Sequence, residues 1–394
     1  MVAGGNVLTD GPDPEAGMGI TLTDAQEELR SLVRRFLAEK APSEAIRRWM
    51  DSENGYDPDV WQQMAQQLGL HGLVLPEQYG GAGYGLAELA VVLEEMGRSL
   101  LPAPFFSTIG LAAQTLLASE DDQACRRYLP GIAGGELTAT VAVCDENGSW
   151  DLSDITTPAR RHEGDWRVSG TKMFVIDGEI ADVILVIARA NDGLGLFAVD
   201  RNAPGISTTR LDALDPTRRL ARVDLQNCQG QRIGPAGDAA PFLRRALDLA
   251  NVALAAEQVG GAQACLDSAV EYAKVRVQFN RPIGSFQAIK HKCADLLVEI
   301  ESAKAAVLYA ASLTADAADG ASAAEEFPTC AALVAAYCSA AYTHAAKENV
   351  QIHGGIGFTW EHDAHLYLKR AKTSELLFGA PAAQRARIAE LAGI

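Results

Sequence analysis

Positive charge, long apolar runs and paired cysteines are all scarce in this chain. Its net charge is −17 at pH 7, which argues against nucleic-acid and anionic-membrane partners, since both bind basic patches. No apolar run approaches the roughly 20 residues of a membrane span, and no basic segment followed by an apolar stretch indicates a secretory signal. The seven cysteines are scattered and contain no CxxC pair. Together these absences predict a cytoplasmic protein with reduced thiols.

The composition that remains is typical of a large globular enzyme subunit. Hydrophobic residues make up 48% of the 394 positions and charged residues 22%, enough for two or three domains around a sizeable core. Residues 1–19, rich in Gly, Pro and Asp, are predicted to form a disordered tail. We predict an α+β fold with an N-terminal helical domain over residues 20–136. A mostly antiparallel β domain follows over 137–238, and a C-terminal helical bundle over 239–394.

Local patterns support this division. Thr23 is predicted to cap a helix whose apolar residues recur at helical spacing. In the middle part, short alternating runs between turn residues predict strands at 138–144, 165–169, 171–177, 182–189, 194–200 and 218–226. In the last part, Ala-rich patterns predict helices near 240–275, 286–315, 322–350, 362–377 and 381–392. Helices that are apolar nearly all round are buried in a bundle or between subunits.

The most informative segment, residues 272–296, arranges a cation, an aromatic ring and an amide around a helix–turn–helix. Arg276 and Phe279 stand three positions apart where an apolar helix is predicted to end. Pro282 breaks that helix, and Gln287 falls in the first turn of the next one. An arginine fork here can grip a phosphate, with the aromatic ring and the amide beside it. The same pattern alone also fits a basic helix end, a core phenylalanine and a capping glutamine.

Four motifs, which follow one another along the chain as they do in the family, resemble those of the acyl-CoA dehydrogenases. These are flavoproteins that desaturate acyl-CoA thioesters. The motifs are R-x-Q-F-x-x-P-I-x-x-F-Q from Arg276, L-P-E-Q-Y-G-G-A-G at 75–83, V-S-G-T-K at 168–172, and Q-I-H-G-G-I-G-F at 351–358. Each has its expected structural context, and the resemblance extends from about Leu22 to the C-terminus. It implies the three-domain fold, an FAD cofactor, an acyl-CoA substrate and transfer of electrons to an electron-transfer flavoprotein.

The resemblance also implies a cofactor site shared between two chains. In this family the arginine of the R-x-Q-F motif meets the FAD pyrophosphate across a subunit boundary, so Arg276 is expected to do so here. Phe279 and Gln287 are expected to flank the adenosine part of the same FAD. Because one site then needs two chains, the resemblance implies a dimer or a dimer of dimers. The latter would be a homo- or heterotetramer.

The Q-I-H-G-G segment is expected to contact the same cofactor. Gln351 and the backbone around Gly354 and Gly355 would receive FAD, since glycine permits close backbone approach. Nearby, His362 and His365 have metal-ligand residue types at a spacing of three. The family uses no metal, so no metal site is predicted.

The catalytic base is missing from both positions where the family carries it. A carboxylate must remove the α-proton while the β-hydrogen leaves as hydride to the flavin. At the E-G-T position this chain has Phe378, and at the alternative position it has Ala250 or its neighbour Asn251. The strand usually written W-I-T begins here at Phe174 and lacks the hydroxyl, and residues 144–151 align only loosely with the family's T-E-P-x-x-G-S-D loop. The catalytic residue is therefore unknown.

Three hypotheses stay open at this point. In the first, the chain is an active dehydrogenase of fatty-acid or steroid catabolism whose base has moved to Glu257 or Glu375, although both have ordinary structural explanations. In the second, it is a non-catalytic partner in a heteromeric enzyme, similar to subunits of actinobacterial steroid side-chain acyl-CoA dehydrogenases, which resemble it in their Ala-rich composition. In the third, it is a flavin-binding or structural scaffold, which retention of the Arg276 motif disfavours.

Overall fold

The computed structural model describes residues 21–315 and 321–394, and the predicted tail at 1–19 lies outside them. The helices before the sheet are α1 (Asp24–Lys40), α2 (Ser43–Met50), α3 (Pro58–Gln66), α4 (Leu86–Arg98), α5 (Gln114–Ala118) and α6 (Asp122–Ala133). A π-helical segment, Phe106–Ala113, leads into α5. The predicted cap is present: Thr23 Oγ1 accepts from the Gln26 N–H, and Gln26 Oε1 accepts from the Thr23 N–H.

The middle part is one mixed sheet. Its strands are β1 (Ala139–Ala142), β2 (Ala159–His162), β3 (Asp165–Ile176), β4 (Val183–Ala190), β5 (Gly193–Asp200), β6 (Ile206–Arg210) and β7 (Leu220–Ile233). They run in the order β1-β4-β5-β7-β3-β2, and β6 pairs with β7. β1 pairs with β4 in parallel, and the other strand pairs are antiparallel. The long strand β7 pairs with both β5 and β3, which joins the two halves of the sheet.

The strand predictions differ from the structure in three places. The runs predicted at 165–169 and 171–177 are a single strand, β3, with a register shift between Val168 and Gly170. β2 and β6 were not predicted, because their ARRH and ISTTR sequences are largely exposed and lack an apolar face. β7 continues beyond the predicted residue 226 to Ile233.

After the sheet the chain is again helical. The helices are α7 (Ala240–Val275), α8 (Gln287–Ala315), α9 (Ala321–His353), α10 (Ala364–Ser374) and α11 (Pro381–Leu391), and a short hairpin of β8 (Val277–Gln278) and β9 (Arg281–Pro282) separates α7 from α8. The long helices agree closely with their predicted ranges. In the described ranges, 21–315 and 321–394, no helix has the length and apolar content needed to cross a membrane.

The crossing of α4 and α7 is unusually close. A Cβ at Gly97 would lie 1.9 Å from the Glu257 carbonyl oxygen, and one at Gly260 would lie 1.7 Å from the Glu94 carbonyl oxygen. Only glycine fits at such a crossing, because any side chain would meet backbone. α7 is thereby held against the N-terminal domain, and Glu257 lies at the buried junction.

Candidate functional site

The positions where the resemblance expects a base lie in or beside one cleft of about 730 Å³. Phe378, which follows α10, and Asn251 on α7 both line it. Ala250, the neighbour of Asn251, is fully buried in the apolar core. The loop that contains Trp150 and the helix α11 with Gln384 form the other walls. Helices distant in sequence and a loop of the sheet thus meet at the expected acyl site.

An aromatic cluster (Phe106, Trp150 and Phe378) occupies the base position. Phe378 is only 6% exposed. Its ring centroid lies 5.0 Å from that of Trp150, edge to face, and 6.1 Å from that of Phe106. The Phe378 backbone has φ 57°, in the left-handed region, and Gln384 Nε2 donates to its carbonyl oxygen at 2.7 Å. Sequence reasoning missed Phe106 and Gln384, whose roles have no local signal.

The loop that carries Trp150 is anchored by a buried ion pair. Lys172 Nζ donates to Asp145 Oδ1 at 2.6 Å and to the Val143 carbonyl at 2.9 Å. Thr156 and Thr157 donate to the same carboxylate. Burial opposes ionisation of Asp145, but Lys172 and the threonine donors outweigh it and hold the pKa of that carboxyl well below its usual range. The loop is therefore fixed with its tryptophan against Phe378.

Glu257, the first relocated-base candidate, is enclosed by arginines. Arg218 Nη2 reaches both carboxylate oxygens at 2.5 Å, and Arg370 Nη1 donates to Oε1 at 2.7 Å. Arg370 Nε also donates to Asp215 Oδ2 at 2.7 Å. Burial alone would raise the pKa of Glu257, but the two guanidinium groups hold it below its ordinary value. Such a carboxylate is a weak base, and Glu257 is absent from the lining of the cleft.

The second candidate, Glu375, also lies away from the lining of the cleft, at the end of α10. It forms an ion pair with Lys372. The described cleft is instead lined by two other carboxylates, Asp151 and Glu390. Asp151 accepts from the backbone N–H and the hydroxyl of Ser153, and these bonds lower its pKa. It is held as the cap of a short helical turn, not as a free base.

Sequence reasoning also missed a titratable group behind the aromatic cluster. Asp177 is buried at the end of β3, and Ser107 Oγ, next to Phe106, donates to its Oδ2 at 2.6 Å. Burial raises the pKa of Asp177 to about 6. Phe174 in the same strand has φ 56°, a strained conformation for an aromatic residue, and it brings no hydroxyl to the position where the family has one.

The six residues predicted to contact FAD lie at the surface, and we call them the cofactor rim: Arg276, Phe279, Gln287, Gln351, Gly354 and Gly355. Phe279 is 88% exposed. Tyr272, one turn before Arg276, stacks on His353 with ring centroids 4.3 Å apart, so the two motifs of the rim meet. In the described part of the chain Arg276 has no ion pair. A Cβ at Gly354 or Gly355 would meet nothing within 4 Å.

These residues fit one end of FAD. A free guanidinium suits a pyrophosphate, and exposed glycine backbone permits close approach of a nucleotide. At the neighbouring cleft two rings of the aromatic cluster, Trp150 and Phe378, form part of the wall. No group of three or more His, Cys, Asp or Glu side chains is arranged to hold a metal ion in residues 21–315 and 321–394. His353 Nδ1 instead bonds the Asn349 carbonyl oxygen at 2.8 Å.

The three-domain order and the motifs have a direct counterpart among known proteins. The chain matches the acyl-CoA dehydrogenase N-terminal domain over residues 23–136, the middle domain over 140–228 and the C-terminal domain over 240–392. It therefore belongs to the acyl-CoA dehydrogenase family, an oxidoreductase family that typically binds FAD. This confirms the resemblance drawn from the four motifs.

Within the family, the chain is similar to two mycobacterial acyl-CoA dehydrogenases and to a solved steroid ACAD. It is 38% identical to the acyl-CoA dehydrogenase IpdE2 of Mycobacterium tuberculosis over 364 residues, 92% of this chain and 95% of that protein. It is 37% identical to FadE34 of the same organism over 363 residues, 90% of this chain but 46% of that protein. The solved structure of a variant of the steroid ACAD Tcur3481-Tcur3483 matches with TM-score 0.85 and 33% identity, covering 95% of this chain and 99% of that chain.

Proposed function

We propose that this chain is the base-lacking subunit of a heteromeric, FAD-dependent acyl-CoA dehydrogenase. The observation that carries the proposal is the aromatic cluster: Phe378 occupies the base position, is buried, and packs on Trp150 and Phe106. No carboxylate can occupy that place without displacing these rings. The paired state of Glu257 supports the same conclusion, because a carboxylate shared by two arginines has little tendency to take a proton.

In this proposal the chain supplies the part of the site that binds the FAD nucleotide, and its partner supplies the part that carries out the reaction. Arg276 and the other residues of the cofactor rim bind and orient the pyrophosphate and adenosine of an FAD whose flavin lies in a paralogous partner. The partner supplies the glutamate that removes the α-proton of the acyl-CoA. The bound FAD supplies the hydride acceptor, and an electron-transfer flavoprotein then takes the electrons. We place this complex in the cytoplasm.

Relatives support a paired enzyme and a steroid-type substrate. The solved complex ChsE4-ChsE5 of Mycobacterium tuberculosis matches this chain with TM-score 0.85 at 25% identity, covering 95% of this chain and 98% of that chain. The FadE34 match leaves more than half of that relative outside the aligned region, room for a second unit in one chain. The solved steroid ACAD Tcur3481-Tcur3483, at 33% identity, supports a steroid side-chain thioester as the substrate class we propose.

The test compares the chain purified alone with the chain co-expressed with family members encoded beside it. We expect the single chain to be colourless and the co-purified pair to carry flavin and reduce it on addition of a steroid side-chain acyl-CoA. Mass in solution should show both chains in one complex. A single chain with near-stoichiometric flavin that oxidises acyl-CoA would overturn the proposal and favour a homo-oligomeric enzyme with a base elsewhere.

A further inference from the structure

The loop of the cofactor rim, residues 353–362, has its two ends joined by histidine rings. His353 ends α9 and His362 stands just before α10, and their ring centroids lie 4.3 Å apart. Tyr272 of α7 stacks on His353 as well, again at 4.3 Å. The rings therefore meet at the base of the loop that contains Gly354 and Gly355.

His362 also caps α10, and it does so only when neutral. The Ala364 N–H donates to His362 Nδ1 at 3.1 Å. Asp363 is the usual kind of residue for that role, but Arg47 Nε and Nη2 hold one of its oxygens at 3.0 and 2.6 Å. A protonated imidazole has no acceptor nitrogen, and a cation at a helix N-terminus opposes the helix dipole.

The surroundings of His362 hold few uncompensated negative charges. The charged and titratable groups near it are Arg47 of α2, Tyr272 of α7, His353 of α9, and Glu361, Asp363, His365 and Lys369 of the loop and α10. Asp363 is already paired with Arg47, and the Glu361 side chain is exposed. Burial first, and then His353, lower the pKa of His362, while Asp363 opposes this.

We propose that His353 and His362 form an acid-sensitive clasp that closes the cofactor-rim loop. At neutral pH His362 accepts the Ala364 N–H and its ring packs on His353. As the pH falls, protonation of His362 releases that amide and places a cation against His353 and Arg47, so the loop opens at its base. The opening itself is independent of the proposed function. Its consequence, weaker binding of FAD or the partner at Gly354 and Gly355, rests on that function.

Hydrogen exchange of the purified chain, followed by mass spectrometry at neutral and mildly acidic pH, tests the clasp. After correction for the intrinsic rate, we expect the peptide over residues 360–368 to exchange roughly five- to tenfold faster in acid. This factor corresponds to the loss of about one hydrogen bond. The helix α1, which contains no histidine, serves as an internal reference and should not change.

Two variants distinguish the opening of the clasp from a destabilisation of the whole fold at low pH. His362→Asn keeps an acceptor for the Ala364 N–H but cannot be charged, so its exchange should be slow at both pH values. His362→Lys carries a permanent charge and no acceptor, so its exchange should be fast at both. If the wild type and His362→Asn respond identically to acid, the proposal is wrong. In the flavin-loaded complex, acid release of flavin from the wild type but not from His362→Asn would test the consequence separately.

Discussion

Two phenylalanines with the same unusual backbone define two contrasting regions of this molecule. Phe378 has φ 57° and Phe279 has φ 51°, both in the left-handed region. Phe378 is 6% exposed and packs in the aromatic cluster, whereas Phe279 is 88% exposed on the cofactor rim. In the first region the ring is packed against Trp150 and Phe106 of the same chain. In the second, the ring meets Phe286 edge to face, with centroids 6.1 Å apart, and stays largely exposed, as expected of a surface that a cofactor and a second chain cover.

The largest loss of stability is expected from breaking the buried ion pairs of Glu257. Glu257→Gln leaves Arg218 without its buried ion-pair partner and leaves Arg370 paired with Asp215, and we expect a loss of about 3–5 kcal/mol in the free energy of unfolding. Urea unfolding at neutral pH measures this loss. The matched control is Glu375→Gln, which removes a partly exposed pair with Lys372 and should cost about 1 kcal/mol or less. Equal effects of the two changes would refute the assignment of Glu257 to a structural network.

The two phenylalanines give the most direct test of the comparison. Phe378→Ala should cost about 3–5 kcal/mol, because it leaves a cavity beside Trp150 and Phe106. Phe279→Ala should change stability by about 0.5 kcal/mol or less, since its ring is exposed. Thermal or urea unfolding of the single chain compares them directly. A small effect at Phe378 would show that its ring does not pack against Trp150 and Phe106 in solution.

The cofactor rim should respond in the opposite way, losing binding and keeping stability. In the complex with a flavin-binding partner, Arg276→Ala should weaken FAD binding roughly 10- to 150-fold, since hydrogen bonds from a charged group are worth about 1.5–3 kcal/mol. Flavin fluorescence titration measures this. Arg281→Ala is the control, because Arg281 is equally exposed and its guanidinium lies over Phe286, at 4.1 Å from the ring centroid. If both variants bind FAD like the wild type, the expected role of Arg276 is wrong.

A buried and an exposed histidine extend the comparison to pH. His71 is fully buried against Trp61, and burial lowers its pKa to about 3. The unfolded chain takes up this proton below about pH 6.5, so the stability that His71 contributes is present above that value and is lost as the pH falls. The slope is at most about 1.4 kcal/mol per pH unit. Unfolding of His71→Gln across this range should show a smaller slope, whereas His291→Gln, at an exposed site, should follow the wild type.

Much of the fold was predictable because its signals are local. The bounds of α7 and α8 and the cap at Thr23 follow from apolar periodicity and from residue types within one or two turns. Strand β2 could not be predicted, because its exposed ARRH sequence has no alternation of apolar and polar residues. The replacement of the base by Phe378 was visible in the motif spacing. Its burial was not, since Trp150 and Phe106 lie far away in the sequence.

The amino-acid sequence by itself determined the order of the three domains and the family, because motif spacing and helical period are carried by neighbouring residues; its assignment of the cofactor rim stays a prediction. Only the tertiary structure decided that Glu257 is locked by Arg218 and Arg370, 39 and 113 residues away. It alone decided as well that the distant rings of Phe106, Trp150 and Phe378 pack together beside the cleft. The physical reason is that burial and charge pairing are properties of the packed chain: a carboxylate is a base or a structural anion according to the groups that surround it.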